Sequence, residues 1–284
     1  MSQTLQTENI PSQEIHHETT LFAEPVFNLG GFTVTNSLLC SWIAVFLVVI
    51  FSLLVRKKIS LIPKGIQSYF EVFLEGSYNL ADTVTGSRQK TMKFLPVVLP
   101  LFAFILFSNW LGLLPGVGSV GFVSSHNGQS AFVPLLRGGT ADLNTTLALS
   151  VLAVFLTHIF GTVMAGWWSH LNRFVGLNLF LELPRKVFKE RNYQALLINP
   201  IKFFVGLIEA VGELAKVASL SFRLFGNVFA GEVLLASMAA IFAYVVPLPF
   251  IFLEIIVGII QALIFSMLIL VFLSIMSSSH AEEH

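Results

Sequence analysis

From residue 201 to 276 the chain is almost continuously apolar, broken chiefly at Pro-Leu-Pro (247–249). A hydrocarbon layer of ~30 Å needs only about 20 helical residues. This run therefore reads as two helices of roughly 43 and 28 residues, the first ~65 Å long at ~1.5 Å per residue. A helix of that length must run obliquely, break, or leave the bilayer. A long, oblique, sparsely charged hairpin suits a surface laid along a partner. Composition agrees with a membrane protein: 55% of the 284 residues are hydrophobic and 11% charged, against about 25% charged in soluble domains. Zero net charge argues against a nucleic-acid binder. The single cysteine, Cys40, excludes an internal disulfide and a cysteine-based metal site.

Upstream, residues 1–31 hold four Glu and no Lys or Arg, unlike a signal peptide. They read as a polar N-terminal tail. Residues 32–55 are uncharged and long enough to cross as a helix, with Arg-Lys-Lys (56–58) behind them. In 66–84, Ile66, Phe70, Phe73, Leu80 and Val84 share one helical face, with Glu71, Glu75, Asn79 and Asp82 elsewhere. That pattern predicts a helix lying on the membrane surface. A second span covers 94–114, a Gly-, Ser- and Pro-containing loop 115–142, a third span about 143–168, and a basic loop 170–200. The fold class expected is an all-α membrane protein: about five membrane-crossing helices plus one interfacial amphipathic helix, ending in a long tilted helical hairpin. Its organisation is a tail (1–31), three membrane helices with the surface helix and loops (32–200), and the hairpin (201–284). Segments 56–93 and 170–202 together carry 13 of the 16 Lys and Arg, whereas loop 115–142 has only Arg137. The positive-inside rule then sets the N-terminus outside and the C-terminus in the cytoplasm.

On the first hairpin helix Glu209, Glu213, Lys216, Arg223 and Asn227 are spaced 4, 3, 7 and 4, which keeps them on one face, with Ser219 on its flank. A polar stripe through an apolar helix is the expected lining of an ion path. The competing reading is an internal salt-bridge network in which Glu213 and Lys216 neutralise each other. Arg223 has no acid one turn away; Glu232, nine residues on, is ~13 Å along the axis. A guanidinium stays charged and is costly without an anion or water. This helix is thus prepared for a carboxylate from another subunit, and the small residues Gly226, Ala230 and Gly231 would let a partner helix approach. Ordinary helix packing explains the same small residues.

Glu254, Gly258 and Gln261 lie on one face of the last helix. Antiparallel pairing would bring Glu254 to the depth of Glu232, where two acids share a proton and titrate as a pair. The alternative is that each is an ordinary interfacial acid. Asn109, in FSNWLGLLP (107–115), is a polar group in an apolar span. Asp142, followed by Asn144 and Thr145, either caps a helix or lies at a channel mouth. His158 reads as a packing histidine. No residue cluster has metal-ligand spacing, and no phosphate loop or nucleophile motif occurs. No cofactor is expected.

The stretches FSNWLGLLP, TADLNTTLALS (140–150), SLSFRLFGNVFAGE (219–232) and IIQALIFSMLILVFLSI closely resemble subunit a (subunit 6) of the F-type ATP synthase, over most of the chain from about residue 94. The resemblance implies a proton-conducting, non-catalytic stator facing a rotating ring of c subunits. Protons would enter by an outer half-channel, ride on ring carboxylates and leave by a cytoplasmic half-channel. It also implies as partners the c-subunit ring, the b-subunit peripheral stalk, the rest of the F1Fo ATP synthase and membrane lipid, in a bacterial inner membrane. The family's essential arginine matches Arg223. Its outer half-channel residues match Asn227, Glu232, Glu254 and Gln261, and its cytoplasmic half-channel lies near Glu209, with Lys216 and Ser219 on the same helix. This chain has Val217 where many members have proline, and acids at both positions where some members place one histidine.

Two rivals make different demands. A stand-alone ion-coupled transporter predicts inverted repeats around broken helices, and the sequence shows no repeat. A non-conducting scaffold leaves Arg223 and the 209–227 stripe without a purpose.

Overall fold

The computed structural model describes residues 22–57, 60, 62, 64–114, 116–126, 129–166, 194–242 and 245–278. The first 21 residues of the expected tail, the expected basic loop up to residue 193, and the last six residues lie outside the described set.

Six helices carry the described fold: α1 (Asn36–Lys57), α2 (Ile66–Thr85), α3 (Arg88–Gly112), α4 (Leu143–Ala165), α5 (Gln194–Ile241) and α6 (Pro247–Ser278). Five of them, all but α2, are long and apolar enough to cross a membrane. The all-α membrane architecture expected from the sequence is therefore present, with shifted boundaries. Helix α5 has 48 residues and α6 has 32. The first begins at Gln194, inside the stretch expected to be loop. At ~1.5 Å per residue α5 is ~72 Å long, more than twice the hydrocarbon thickness. It continues unbroken through Val217. Pro247-Leu-Pro249 does not break the hairpin but opens α6; proline is at home in a first turn, where the backbone N–H has no helical partner.

The loop expected over 115–142 is replaced in part by an antiparallel hairpin, β3 (Gly121–His126) with β4 (Gln129–Pro134), in register from Gly121↔Pro134 to His126↔Gln129. A second hairpin, β1 (Pro25–Leu29) with β2 (Phe32–Thr35), occupies the end of the expected tail and the first four residues of the expected first span. Asn36 ties both hairpins to α1. Its Oδ1 accepts from the backbone N–H of Glu24 (3.2 Å) and Ser37 (2.9 Å), and its Nδ2 donates to the carbonyl of Pro134 (3.3 Å). A fully buried amide with these partners removes the cost of unmade hydrogen bonds.

Helix α6 is central, packed on α3 and α4 and also touching α5 and α2. Phe94 and Ile105 of α3, Leu224 of α5, and Phe265, Ile269 and Leu270 of α6 form the fully buried centre. Lipid gives apolar side chains no reason to prefer protein, so packing relies on close van der Waals fit and small residues. Ala153 of α4 and Ala262 of α6 are fully buried in this centre. Helix α3 tolerates Pro96 and Pro100 in its interior, as membrane helices do when neighbours enclose the freed backbone groups.

Helix α2, the expected interfacial helix, is half in and half out. Ala81 is buried against the core, while Tyr69 is 81% exposed and Val72 68%. The corner to α3 is tight. Gly86 takes a left-handed φ of 66° and donates its N–H to the carbonyl of Asp82, a conformation that favours glycine at a helix C-terminus. Arg88 then reaches back to Asp82 (2.8 Å) and lies 4.2 Å over the Tyr78 ring.

Candidate functional site

A cavity of about 710 Å3 opens between α5, α6, the end of α3 and the segment around Arg137. The residues expected on the outer path, Asn227, Glu232, Glu254 and Gln261, all lie on its wall, together with Asn109. Along α5 the lining runs from Asn227 to Ala240, about 20 Å. It ends at Asn227 on one helix and Gln261 on the other. These two side chains meet there, Asn227 Nδ2 donating to Gln261 Oε1 at 3.4 Å. Gln261 is 95% buried, and its Nε2 has no hydrogen-bond partner among the described residues.

The two acids part company. Glu232 is held by Arg137, whose Nη2 is 2.8 Å from Oε2 and whose Nε is 3.0 Å from Oε1. Arg137 is 5% exposed and also donates from Nη1 to the carbonyl of Phe22 (3.3 Å). Glu254 instead lies against Gly231; a methyl group there would overlap its carboxyl atoms. Glu232 is thus ion-paired, whereas Glu254 packs against Gly231. The reason is rotational: residues 231 and 232 point ~100° apart on a helix of 3.6 residues per turn. Gly231 therefore serves this chain's own α6 rather than a foreign helix. Among the described residues no neighbouring element comes within 4 Å of the Cβ position of Gly226.

Arg223 is exposed on the flank of α5, with Phe222 (62% exposed), Ser219 and Gly226 on the open side. It makes no hydrogen bond or ion pair with any described residue. It also does not line the cavity, from which Asn227 separates it by one turn. Towards the other end of the stripe, Glu213 is paired. Lys216 Nζ donates to its Oε1 at 2.6 Å, and His158 Nε2 of α4 is 3.4 Å from its Oε2. His158, expected as a packing residue, thus faces an acid. Lys216 also lies 4.9 Å from the Phe272 ring centroid. Glu209 is half-buried and Ser219 exposed.

Asn109 is a structural link as well as a cavity residue: its Nδ2 donates to the carbonyl of Gly258 (3.2 Å), and its Oδ1 accepts from Thr140 (2.7 Å). Asp142 caps α4, accepting from the N–H of Asn144 and Thr145. It also accepts from the Ala23 N–H (3.2 Å) and the Ser37 hydroxyl (3.2 Å). It is 3% exposed and does not line the cavity, so of the two readings open in the sequence the cap is the one the geometry carries. The Asn144 side chain is exposed. Arg137 and Thr140 are the site residues missed by sequence reasoning. Arg137 had a signal in being the lone base of its loop.

This arrangement combines a largely apolar cavity with room for several waters, a few polar side chains on its wall, one carboxylate with no ion pair among the described residues, and, one turn beyond Asn227, a cation with no partner among them. It can move protons; among the described residues no cluster of His, Cys, Asp or Glu can hold a metal. The family model described as "ATP synthase A chain" matches residues 38–274. The chain is 31% identical to ATP synthase subunit a of Syntrophobacter fumaroxidans, over 92% of this chain and 90% of that one. It is 30% identical to the Geobacter sulfurreducens protein of the same name, over 82% and 83%, and 29% identical to that of Moorella thermoacetica, over 88% and 94%. The chain therefore belongs to the ATP synthase A chain family, and is a proton-translocating membrane subunit rather than an enzyme acting alone.

Proposed function

We propose that Arg223 faces the mid-membrane carboxylates of a rotating c-subunit ring and separates two offset half-channels, of which the cavity is the outer one. Its isolation carries the reading. On α5 Glu213 and Glu232 each have a cation, whereas Arg223, exposed at the flank, has no partner among the described residues. An unpaired guanidinium at bilayer depth is costly, and a carboxylate on a second subunit removes that cost. The pair must stay hydrated and transient, because a dry one would stall rotation.

The same charge blocks a leak. A proton within ~7 Å of Arg223 is repelled by ~2.4 kcal/mol at an effective dielectric of ~20, roughly a fifty-fold loss in occupancy. Protons reach the ring past Glu254, Gln261 and Asn227. The unsatisfied Nε2 of Gln261, a buried donor left open at a cost of ~1–3 kcal/mol, supports a water or carboxylate at this end. Glu209, with Glu213, Lys216 and Ser219, flanks the cytoplasmic half-channel. The outer loops around Arg137 face away from the cytoplasm and the basic segments face it, in a bacterial inner membrane, with the b-subunit stalk holding the subunit still. The driving force is ~2.3 kcal/mol per charge per 100 mV.

Arg223→Ala tests this in inside-out vesicles carrying the assembled complex. ATP-driven acidification should be abolished while the soluble ATPase head still co-purifies. Substantial pumping in that variant sinks the proposal.

A further inference from the structure

Glu254 and Gln261, the two polar side chains that α6 contributes to the cavity wall, flank a short stretch of that helix held from α3. Trp110 donates its indole N–H to the carbonyl of Ile255 (3.3 Å), and Asn109 donates Nδ2 to the carbonyl of Gly258 (3.2 Å). The two acceptors are three residues apart, so they lie one above the other on one face of α6. A helix carbonyl has a second lone pair for such a bond. Gly258 lets the helices come this close: a Cβ there would lie 3.3 Å from the Asn109 Cβ and 3.5 Å from Cδ1 of Trp110. The aim of the amide is also set. Asn109 Oδ1 accepts from the fully buried Thr140 hydroxyl at 2.7 Å, which leaves the NH2 end for α6. An interfacial tryptophan ordinarily turns its polar edge to the headgroups, whereas the N–H of Trp110 is bound to a neighbouring helix. Apolar contact alone restrains a membrane helix weakly, because lipid is as apolar as leucine. A turn of α6 by ~20° would carry side-chain ends ~2 Å at a radius of ~5–6 Å. That is enough to take Glu254 off Gly231 and Gln261 away from Asn227.

Resting on the cavity being the outer half-channel, we propose that Trp110 and the Thr140-oriented Asn109 are positioning residues that lock the rotation and depth of α6 through the close seat at Gly258, and so hold Glu254 and Gln261 in line along the passage. Trp110 and Thr140 carry no proton in this role; they act through the two α6 side chains that they place.

The test measures ATP synthesis per assembled complex in vesicles, a turnover that a loss of stability alone does not change. Thr140→Val keeps the side-chain shape and removes the hydroxyl, so the Asn109 amide loses its aim; turnover should fall about twofold or more. Thr140→Ser restores the hydroxyl and should match wild type. Trp110→Phe keeps a ring without the N–H and should also fall about twofold or more. Gly258→Ala must push α3 away by a few tenths of an ångström, which takes bonds of 3.2 and 3.3 Å to the ~3.5 Å limit of a hydrogen bond. Its turnover should fall roughly fourfold, scaled from about a hundredfold for a ~1 Å misplacement. Wild-type turnover in assembled Thr140→Val or Trp110→Phe overturns the proposal, as does Thr140→Ser as slow as Thr140→Val. Failure of Thr140→Val, Trp110→Phe and Gly258→Ala alike to assemble also overturns it, since these contacts would then serve folding alone. Arg223→Ala in the same assay separates the two levels. If it still couples, the half-channel reading falls. If it is inactive while Thr140→Val and Trp110→Phe turn over as wild type, only the positioning role falls.

Discussion

Gly231→Ala distinguishes a functional seat from a packing gap. A Cβ at residue 231 would lie 2.6 Å from Oε2 of Glu254 and closer still to Cδ and Oε1. Ordinary contacts of this kind are ~3.5 Å, so the carboxyl must retreat by about 1 Å. It is the free end of a flexible side chain, so the retreat costs little stability. In the other direction, alanine in a helix interior is favoured over glycine by ~1 kcal/mol. The two effects leave the fold as stable as before or slightly more so. Function should go the other way. A reacting group displaced by ~1 Å can cost up to about a hundredfold in rate, and Glu254 is the group displaced. ATP synthesis at saturating driving force should fall about ten- to a hundredfold with assembly unchanged. Shortening the acid by one methylene withdraws it by ~1.5 Å, so Glu254→Asp in the Gly231→Ala background should recover part of the loss. Gly231→Ala complexes that synthesise ATP within twofold of wild type would refute the seat. So would a loss that Glu254→Asp deepens rather than relieves.

Two further outcomes follow from the polar contacts. Asp142→Ala removes the α4 cap and the links to Ala23 and Ser37; it should cost about 2 kcal/mol, read as a lower unfolding midpoint of the purified complex, whereas an unchanged midpoint contradicts the capping role. For Glu213 and Lys216, each single change to Gln breaks their 2.6 Å ion pair and leaves a partly buried charge without its nearest counter-charge, so the double variant should lose less assembly than either single one; additive losses would show that the two residues act separately.

What could be read from the sequence, and what could not, divides along a physical line. Helical stripes were legible because the spacing 209, 213, 216, 223, 227 needs only the helix period to place five side chains on one face. Span number was legible because bilayer thickness sets a length. The two hairpins were not: the 115–142 stretch, with its Gly, Ser and Pro, looks like loop by composition, and the first hairpin straddles the expected tail and the expected first span. Yet Asn127-Gly128 lies between the paired residues His126 and Gln129, and Asn-Gly between alternating residues is the strongest short hairpin signal. The Arg137–Glu232 pair joins residues 95 apart in sequence, beyond any periodicity. For Gly231 the sequence showed that something could come close, but not which helix would.

That last distinction reorganises the reading of α5. Its small and charged residues fall into two sets by what meets them. Gly231 receives Glu254, Glu232 meets Arg137, and Glu213 meets Lys216 and His158, so this set is completed within the chain. Gly226 has open space at its Cβ position, Ser219 and Ala230 are exposed, and Arg223 has no partner among the described residues. These four lie on neighbouring turns along one side of the helix. A helix optimised only for its own chain would not leave Arg223 without a partner beside an exposed glycine, since the cation is costly in lipid and glycine weakens the helix by ~1 kcal/mol. Both costs are removed together by a second helix that comes close and carries a carboxylate. Under the proposed function, the first set would shape the passage that brings the proton, and the second would mark the line along which its carrier moves.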